Sequence, residues 1–362
     1  MAQFGDFTVD RNSTKYVLGS GGTIISYATD EPAFEFNADG SYKGLLVEPA
    51  ATNLVKYSSS MATSPWDLRG FSALSTTETA PDGTTTALKV EEDDTDGNPA
   101  VYYNSDVSDG SQQTFSVWLK ADSNISLYLS TTGDNLGSSV SVTTEWQRFE
   151  VTQSVNGFSG PHIGGFSTIA RGSGVTFYMW GAQLETGPIA TSYIPTTTAS
   201  VTRVKDDITL GSASSLIGQT EGTLYVEVDW RLTTGTSQFL LTASDGTITN
   251  TVFISNDSSP VELRMYVVAD GDTKTQQGES STGYSGIQKI AFAYKTDDFE
   301  LYRNGSSISS DTTGSLAALA TLTDIDLGQR WDASNQANMW IRAVALYPKR
   351  LSDAEAQALT TL

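Results

Sequence analysis

Several segments of this sequence alternate apolar and polar residues with a period of two, and this pattern constrains the fold more than any other feature. The clearest segments span residues 114–120, 125–130, 146–152 and 175–184. Successive side chains of a β-strand point to opposite faces, so the pattern predicts strands with one buried and one exposed face. Turn formers separate them, for example the Pro-Asp-Gly-Thr stretch at 81–84, which is typical of an antiparallel sandwich.

The chain is long enough for two domains. At 362 residues it exceeds the size of a single hydrophobic core, and one domain usually takes about 150 residues. Residues 207–220 are rich in Ser, Gly and Ala, so we interpret them as a linker between domains at 49–206 and 221–362. Residues 1–48 contain only short extended pieces and predict an N-terminal arm that docks or packs on other structure. The predicted class is all-β, with two tandem antiparallel β-sandwiches.

Two local signals lie in the second domain. Asn304-Gly305 predicts a tight hairpin, because both central positions of such a turn need positive φ. Ser352 followed three residues later by Glu355 is the pattern of a capping box, and it predicts a short C-terminal helix over residues 353–360.

Composition excludes several classes of partner. The chain has 42 acidic and 21 basic residues and a net charge of −21, so neither nucleic acid nor an anionic membrane is an expected partner. Cysteine is absent, which removes disulfides and thiol chemistry. No stretch approaches the roughly 20 apolar residues of a membrane span, so membrane insertion is not expected. Residues 1–10 lack the features of a secretory signal.

Catalytic patterns are incomplete. A Glu-x-Asp-x-x-Glu strand motif supplies two carboxylates for glycoside hydrolysis, and Glu227 and Asp229 begin it, but Leu232 occupies the last position. The plain interpretation is that Glu227 and Asp229 project from the polar face of a strand. His162 is the only histidine and has no nucleophile elbow beside it. The sequence therefore predicts a protein that is not an enzyme, with a polysaccharide-degrading glycosidase as the alternative if other carboxylates pair through the fold.

An acidic run raises the possibility of structural calcium. Glu91, Asp93 and Asp96 could supply the oxygen ligands that Ca²⁺ prefers. The alternative is an ordinary solvated loop, which we favour because adjacent carboxylates on a strand point to opposite faces. No other cofactor is predicted.

Large aromatic side chains recur on strand faces that should be exposed. Trp118, Tyr128, Tyr178 and Trp180 each fall on the polar side of their alternating segment. Exposed aromatic patches mark binding surfaces, and a flat ring beside hydroxyl or amide groups suits the apolar face of a sugar. These four are therefore candidate glycan-binding residues. The alternative is that the arm, the second domain or a neighbouring subunit covers them.

The first 205 residues carry ordered motifs that resemble a module of tailed-phage virion proteins. The arm ends in GLLVEPAATNL at residues 44–54, with Ala51 where the pattern commonly has Arg. The further motifs are PW at 65–66, APDGT at 80–84, FSVWLK at 115–120, WQR at 146–148, WGAQLE at 180–185 and TSYIPT at 191–196. Such modules are similar to carbohydrate-binding jelly rolls.

The second domain resembles a concanavalin A-like or laminin-G-like jelly roll. The resemblance rests on residues 221–232, on the hairpin at 301–305 and on the WIRAVALY ending at 340–347 that leads into Arg350-Leu351-Ser352. Lectins, adhesion modules and some glycosidases share this fold.

Together the two resemblances imply a structural protein of a phage virion. They imply a tail-fibre or tail-tip adhesin that contacts host surface polysaccharide or neighbouring virion proteins, and that assembles as a homo-oligomer, by analogy a trimer. A capsid decoration or head-fibre protein is the alternative of the same class.

Overall fold

Nearly all regular structure in this protein is β-strand, which confirms the predicted all-β class. The computed structural model describes residues 4–93, 99–107, 110–132, 137–155, 157, 160–164, 174–231, 237–258, 261–280 and 284–362. Within these ranges no helix is long and apolar enough to cross a membrane.

The strands share an antiparallel arrangement wherever they pair in the described ranges. In chain order they are β1 (Thr8–Asp10), β2 (Lys15–Leu18), β3 (Ile24–Tyr27), β4 (Phe34–Phe36), β5 (Tyr42–Val47), β6 (Ala51–Asn53), β7 (Trp66–Arg69), β8 (Phe71–Leu74), β9 (Leu88–Glu92), β10 (Ala100–Tyr103), β11 (Gln112–Ala121), β12 (Ile125–Ser130), β13 (Ser138–Val142), β14 (Gln147–Ser154), β15 (His162–Gly164), β16 (Thr176–Thr186), β17 (Val201–Arg203), β18 (Asp207–Leu210), β19 (Glu221–Arg231), β20 (Gln238–Ser244), β21 (Thr251–Ser258), β22 (Val261–Ala269), β23 (Asp272–Ser280), β24 (Ser285–Lys295), β25 (Asp298–Arg303), β26 (Ser306–Asp311), β27 (Asp324–Leu327) and β28 (Met339–Tyr347). A 3₁₀ turn, Phe4–Asp6, precedes β1, and one α-helix, α1 (Asp353–Thr360), follows β28.

Two compact units divide the chain. Unit 1 comprises Met1–Thr14, Tyr27–Pro49 and Val204–Leu362. It contains two seven-stranded sheets, sheet I in the order β1-β18-β27-β20-β21-β22-β23 and sheet II in the order β26-β25-β24-β19-β28-β5-β4. Apolar side chains of both sheets form one core, among them Val226, Val228 and Phe292 of sheet II with Leu241 and Ile254 of sheet I.

Of the strands in the predicted arm, β1, β4 and β5 belong to the sheets of unit 1, whereas β2 and β3 pair with each other. Strand β1 pairs with β18, and β5 pairs with β28, so the chain's first segments extend sheets made mainly of its last. Residues 207–210, predicted as part of a linker, form strand β18 instead. Its single core residue, Ile208, pairs with Val9 of β1 and both are buried. Strands of three or four residues contain too few alternations to be recognised by periodicity, which explains the difference.

A buried ion pair connects the three chain segments of unit 1. Arg11 and Asp206 are each 1% exposed, and Arg11 Nη1 lies 2.9 Å from Asp206 Oδ1. Arg11 Nη2 donates to the carbonyl oxygens of Ala28 at 2.8 Å and Glu31 at 2.9 Å. The other carboxylate oxygen of Asp206 accepts from the backbone N–H of Glu48 at 2.8 Å. One guanidinium and one carboxylate thus join residues from all three segments.

Unit 2 comprises Lys15–Ser26 and Ala50–Arg203. It contains two five-stranded sheets, sheet III in the order β14-β11-β16-β9-β8 and sheet IV in the order β13-β12-β15-β10-β7. The inward side chains of the alternating segments fill its core, for example Phe115, Val117 and Leu119 of β11 with Leu127 and Leu129 of β12. The assignment of inward faces from the sequence is therefore confirmed for these two strands.

Both local predictions in the second half of the chain are confirmed. Asn304 and Gly305 have φ of 49° and 83° and join β25 to β26. Helix α1 has the predicted bounds and a complete capping box, with Ser352 at the N-cap and Glu355 at N3.

One carboxyl group is buried on the outer face of sheet I. Asp326 of β27 is 5% exposed. Its pKa is raised to about 7, chiefly by burial; the nearby carboxylates of Asp207, Asp324 and Asp332 act in the same direction, and a hydrogen bond from Gln329 acts in the opposite direction. Folding therefore favours the protonated form of Asp326.

The buried Asp326 predicts a specific pH dependence of stability. A pKa raised on folding gives a contribution to the free energy of unfolding that is complete below the unfolded pKa and is lost as pH rises through about 7. The full shift corresponds to up to about 4 kcal/mol. Between pH 5 and pH 8 we expect the wild type to lose about 2–3 kcal/mol relative to Asp326→Asn, measured by urea denaturation. Parallel pH profiles for the two proteins would contradict the assignment.

Candidate functional site

Three of the four predicted glycan-binding residues lie together on the outer face of sheet III. The pairing of β11 with β16 places Trp118 opposite Trp180 and Lys120 opposite Tyr178. Tyr128 lies on β12 of sheet IV, where it pairs with Ser139 and Gly164. The structure therefore brings together Trp118, Tyr178 and Trp180 and leaves Tyr128 on a different sheet.

The part of this face around Trp180 is buried. Trp180 is 1% exposed, and its ring lies 5.4 Å from Trp118 and 4.6 Å from Tyr193. Two residues of the N-terminal arm, Tyr16 and Ile24, pack in the same cluster. The arm therefore packs against Trp180, which agrees with the alternative to sugar binding for this residue. Trp118 is half-buried and carries the Arg148 guanidinium 4.5 Å from its ring centre on the same sheet face.

A glycine makes the close packing of Trp118 possible. Gly181 follows Trp180 with φ of 68°, and a Cβ atom there would lie 2.7 Å from Trp118 Cε3. A side chain at this position would therefore both strain the backbone and displace the indole.

A buried polar network holds the segment after β16 against sheet III. The Glu185 carboxylate accepts from Thr191 N at 2.9 Å, Thr191 Oγ1 at 2.5 Å and Gln183 Nε2 at 2.7 Å. Burial raises the pKa of Glu185, and the hydrogen bonds from Gln183 and Thr191 partly counteract it. Asn53 adds a second junction, since its amide donates to the carbonyl oxygens of Ala182 and Ile194. These residues belong to the motifs at 44–54, 180–185 and 191–196, and their role in this structure is to hold the fold.

The remaining part of the face presents a partly exposed aromatic and charged group. We call it the Tyr178 platform and define it as Lys89, Lys120, Asp122, Trp146 and Tyr178. Lys120 of β11 and Lys89 of β9 lie opposite Tyr178 on its two neighbouring strands, with their Nζ atoms 6.0 Å and 4.8 Å from its ring centre. The Tyr178 hydroxyl donates to Asp122 Oδ1 at 3.0 Å, and Lys89 Nζ lies 3.0 Å from Asp122 Oδ2.

Hydrogen bonding favours the ionised forms of two platform residues, Lys89 and Asp122. Hydrogen bonds to Tyr178 and Asp122 raise the pKa of Lys89. Hydrogen bonds from Thr176 and Lys89 lower the pKa of Asp122. The platform therefore offers the Lys89 ammonium group as a donor and the Asp122 carboxylate as an acceptor at neutral pH.

Trp146 forms the border of the platform. Its Nε1 donates to the carbonyl oxygen of Thr79 at 2.9 Å, and its ring lies 6.5 Å from that of Tyr178 at an angle of 66°. Trp146 is half-buried, whereas Tyr178 is 7% exposed. Trp146 therefore offers more ring surface to solvent than Tyr178.

Sequence reasoning did not assign Lys89, Lys120, Asp122 or Trp146 to a site. Lys120 shares the polar side of β11 with Trp118, so alternation alone could have placed Lys120 on the same face as a candidate residue. Lys89 and Asp122 could not be found this way, because only the strand order β11-β16-β9 places them beside Tyr178.

The calcium candidates do not form a metal centre in the described residues. Glu91 lies on β9 and pairs with Thr176, while Asp93 Oδ2 accepts from Ser72 Oγ at 2.7 Å. Asp96 lies outside the described residues. Within them, no group of three His, Cys, Asp or Glu residues is placed to bind a metal ion.

Glu227 and Asp229 of the incomplete glycosidase motif each lie beside a residue of strand β28. Glu227 Oε1 lies 2.9 Å from Arg342 Nε, which neutralises its charge. Asp229 pairs with Trp340 across β19 and β28, and Leu232 lies outside the described residues. His162 is 8% exposed on β15 and stacks on Tyr102 with ring centres 5.2 Å apart.

Comparison with known proteins gives weak likenesses. No family model matches the sequence, and no similar curated protein was found. Among solved structures, the CBM40 of the Ruminococcus gnavus IT-sialidase bound to α2,3-sialyllactose is 17% identical, with a TM-score of 0.37 over 41% of this chain and 87% of that one. A botulinum neurotoxin serotype C1 binding domain is 12% identical, with a TM-score of 0.36 over 43% of this chain and 40% of that one. A leech intramolecular trans-sialidase is 15% identical, with a TM-score of 0.36 over 41% and 24%. Likenesses at this level carry no argument about function.

The packing of Trp118 against Gly181 predicts the effect of one methyl group. We expect Gly181→Ala to lower the free energy of unfolding by about 1–3 kcal/mol, since it adds an overpacking cost to the backbone strain, and to change the near-ultraviolet circular dichroism. Gly83→Ala is the matched control, because Gly83 has φ of 80° and open space around its Cβ position. Equal losses for both variants would show that Trp118 does not press on Gly181.

Proposed function

We propose that this protein is a non-catalytic, glycan-binding adhesin, and that the Tyr178 platform of unit 2 contacts the sugar. The observation that carries the proposal is the row Lys120-Tyr178-Lys89 across three strands, with Asp122 hydrogen-bonded to it and Trp146 at its border. The row lies on the outer face of sheet III.

The chemistry of the platform suits a saccharide. The C–H face of a sugar ring can pack on a partly exposed indole such as Trp146, whose amphipathic ring is typical of binding surfaces. Sugar hydroxyls can donate to the Asp122 carboxylate and accept from the ammonium groups of Lys89 and Lys120, and hydrogen bonds to charged groups are stronger than neutral ones. Lys89, Asp122 and Tyr178 already bond one another, and Lys120 Nζ lies 2.6 Å from Glu78 Oε1, so the platform is preorganised before a ligand arrives.

The absence of catalysis is part of the proposal. Glycoside hydrolysis needs two carboxyl groups that flank one bond, one of them available as an acid. On the platform, hydrogen bonds hold Asp122 in its ionised form. In unit 1, Glu227 is paired with Arg342. Neither Asp122 nor Glu227 therefore supplies the protonated carboxyl group. Asp326, whose pKa is raised to about 7, is only 5% exposed and is not open to a substrate.

The sequence motifs are the basis for proposing that this adhesin is part of a phage virion. Their resemblance to tailed-phage virion modules supports a tail-fibre or tail-tip protein that assembles as a homo-oligomer, by analogy a trimer, and contacts host surface polysaccharide and other virion proteins. A capsid decoration or head-fibre protein remains the alternative within this class.

Substitution of the platform tests the sugar contact. We expect the labelled full-length protein to bind at least one structure on a glycan microarray, and Trp146→Ala and Asp122→Asn each to weaken that binding by tenfold or more, because one removes the ring contact and the other a charged acceptor. Tyr128→Ala is the matched control, since it alters an aromatic residue of the same unit on the other sheet. Loss through Tyr128→Ala with retention in the two platform variants would overturn the site.

The virion assignment needs a separate measurement. We expect antibodies against the protein to label one structure of intact phage particles in immunogold electron microscopy, on the tail for an adhesin and on the head for a decoration protein. Particles without label, from a phage whose genome encodes this chain, would overturn the virion assignment and leave the platform untouched.

A further inference from the structure

Strand β14 lies at the edge of sheet III, and within the described ranges β11 is the one strand that pairs with it. It is eight residues long, contains no proline, and pairs with β11 without a bulge. Its residues Gln147, Glu150, Thr152 and Ser154 are exposed, so the strand is accessible from outside. A long and regular edge strand offers a row of backbone groups with which a further strand can pair.

The ladder between β14 and β11 determines which backbone groups face the open edge. Val155 N donates to Ser111 O at 3.2 Å, which makes these two residues a hydrogen-bonded pair of the antiparallel ladder. Such pairs alternate along the ladder with non-hydrogen-bonded pairs, so the odd-numbered residues of β14 bond β11. The N–H and C=O groups of the even-numbered residues, among them Arg148, Glu150 and Thr152, therefore point away from β11.

Charge selects one register for the pairing of β14 with a second copy of itself. An antiparallel pair with a two-fold axis at residue 149 places Arg148 of each copy opposite Glu150 of the other. An axis at residue 148 would set Arg148 against Arg148, and an axis at residue 150 would set Glu150 against Glu150. Opposite charges directly across a sheet stabilise it and like charges destabilise it, so the axis at residue 149 is favoured.

Phe149 adds an apolar contact in the same register. Its side chain is half-buried and packs against the core of unit 2 at the edge of the sandwich. With the axis at residue 149, Phe149 faces Phe149 of the second copy as a non-hydrogen-bonded pair, the type in which side chains approach most closely. Cross-strand aromatic pairs of this kind stabilise sheets.

We propose that β14 pairs with β14 of a second copy of this chain, antiparallel and about a two-fold axis at Phe149. Sheet III then continues across the contact as one sheet of ten strands. Arg148 and Glu150 supply both the edge backbone groups and the complementary charges. A two-fold contact is closed and gives a dimer, so the trimer suggested by analogy would need a different surface.

The pairing places two Tyr178 platforms on one sheet face. Trp146 directly precedes β14 and lies three positions from the axis, so the two copies of Trp146 are six positions apart along the strands, about 20 Å. Two sugar contacts joined in this way bind a glycan-dense surface more tightly than either contact alone. This consequence rests on the proposed function, whereas the pairing itself does not.

Sedimentation velocity over a dilution series tests the pairing. We expect the full-length protein to pass from monomer to a dimer of twice its 38.7 kDa mass as its concentration rises. Glu150→Arg brings like charges together on both sides of the axis and should raise the dimer Kd by about tenfold or more. Glu150→Pro should also raise it, because proline removes an N–H group that points to the open edge and no bond to β11. Asp67→Arg is the matched control, since it makes the same charge change at an exposed residue of β7, an edge strand of sheet IV.

A single cysteine tests the register, because the chain has none of its own. We expect Phe149→Cys to form a covalent dimer under mild oxidation, since Cα atoms at the axis are about 4.5 Å apart, within the range of a disulfide. Gln147→Cys is the control, because its two copies lie four positions apart along the strands, about 13 Å, which is too far. Glu150 is exposed, so its variants give a reading even where Phe149→Cys destabilises unit 2.

The outcomes separate the pairing from the proposed function. A dimer that both Glu150 variants weaken and Asp67→Arg leaves intact supports the pairing. A monomer at every concentration, a trimer, or a dimer that neither Glu150 variant weakens overturns it. On a surface dense in a glycan found by the microarray, Glu150→Arg should bind more weakly than the wild type, with unchanged affinity for the same glycan in solution. A dimer that binds no glycan preserves the pairing and overturns the proposed function.

Discussion

The pair formed by Arg11 and Asp206 is the contact on which unit 1 depends. Both side chains are almost completely buried, and each also bonds backbone atoms of a different chain segment. Removal of one partner of such a pair typically costs about 3–5 kcal/mol, because the other charge stays buried without compensation. The pair therefore fixes where the N-terminal segments lie, and with them β1 at the edge of sheet I and the β5-β4 end of sheet II.

Periodicity and turn chemistry predict much of this fold. Residues 114–120 and 125–130 form strands with the expected inward faces, and the hairpin at Asn304-Gly305 and helix α1 lie where the sequence places them. Strand β18 was not predicted, because it shows one buried apolar residue in four positions. The incorporation of β1 and β5 into sheets depends on the distant strands β18 and β28, and local pattern contains no information about such partners.

For the candidate site too, the sequence predicts which residues share a strand face but not which residues from distant segments lie beside them. Alternation places Trp118, Tyr178 and Trp180 on a polar side, yet it cannot tell that the arm buries Trp180. The motifs that carry the family resemblance include Asn53, Gln183 and Glu185, which hold backbone segments together. Lys89, Asp122 and Tyr178 lie outside those motifs. The motifs also contain Lys120 and Trp146, so a match to them reports on the scaffold and on part of the platform, and the other proposed contacts must be read from strand register.

The discontinuity of unit 1 has a consequence for synthesis of the protein. Strand β5 leaves the ribosome early, but its partner β28 is made only after all of unit 2. At about 5–20 residues per second, β5 waits on the order of tens of seconds for that partner. Unit 2 can complete its own core during this time, whereas a chain that stalls before β28 leaves sheet II open. The complete sheet II thus marks a chain whose synthesis has passed β28, and chains terminated before β28 would expose the edge of β5 that does not pair with β4.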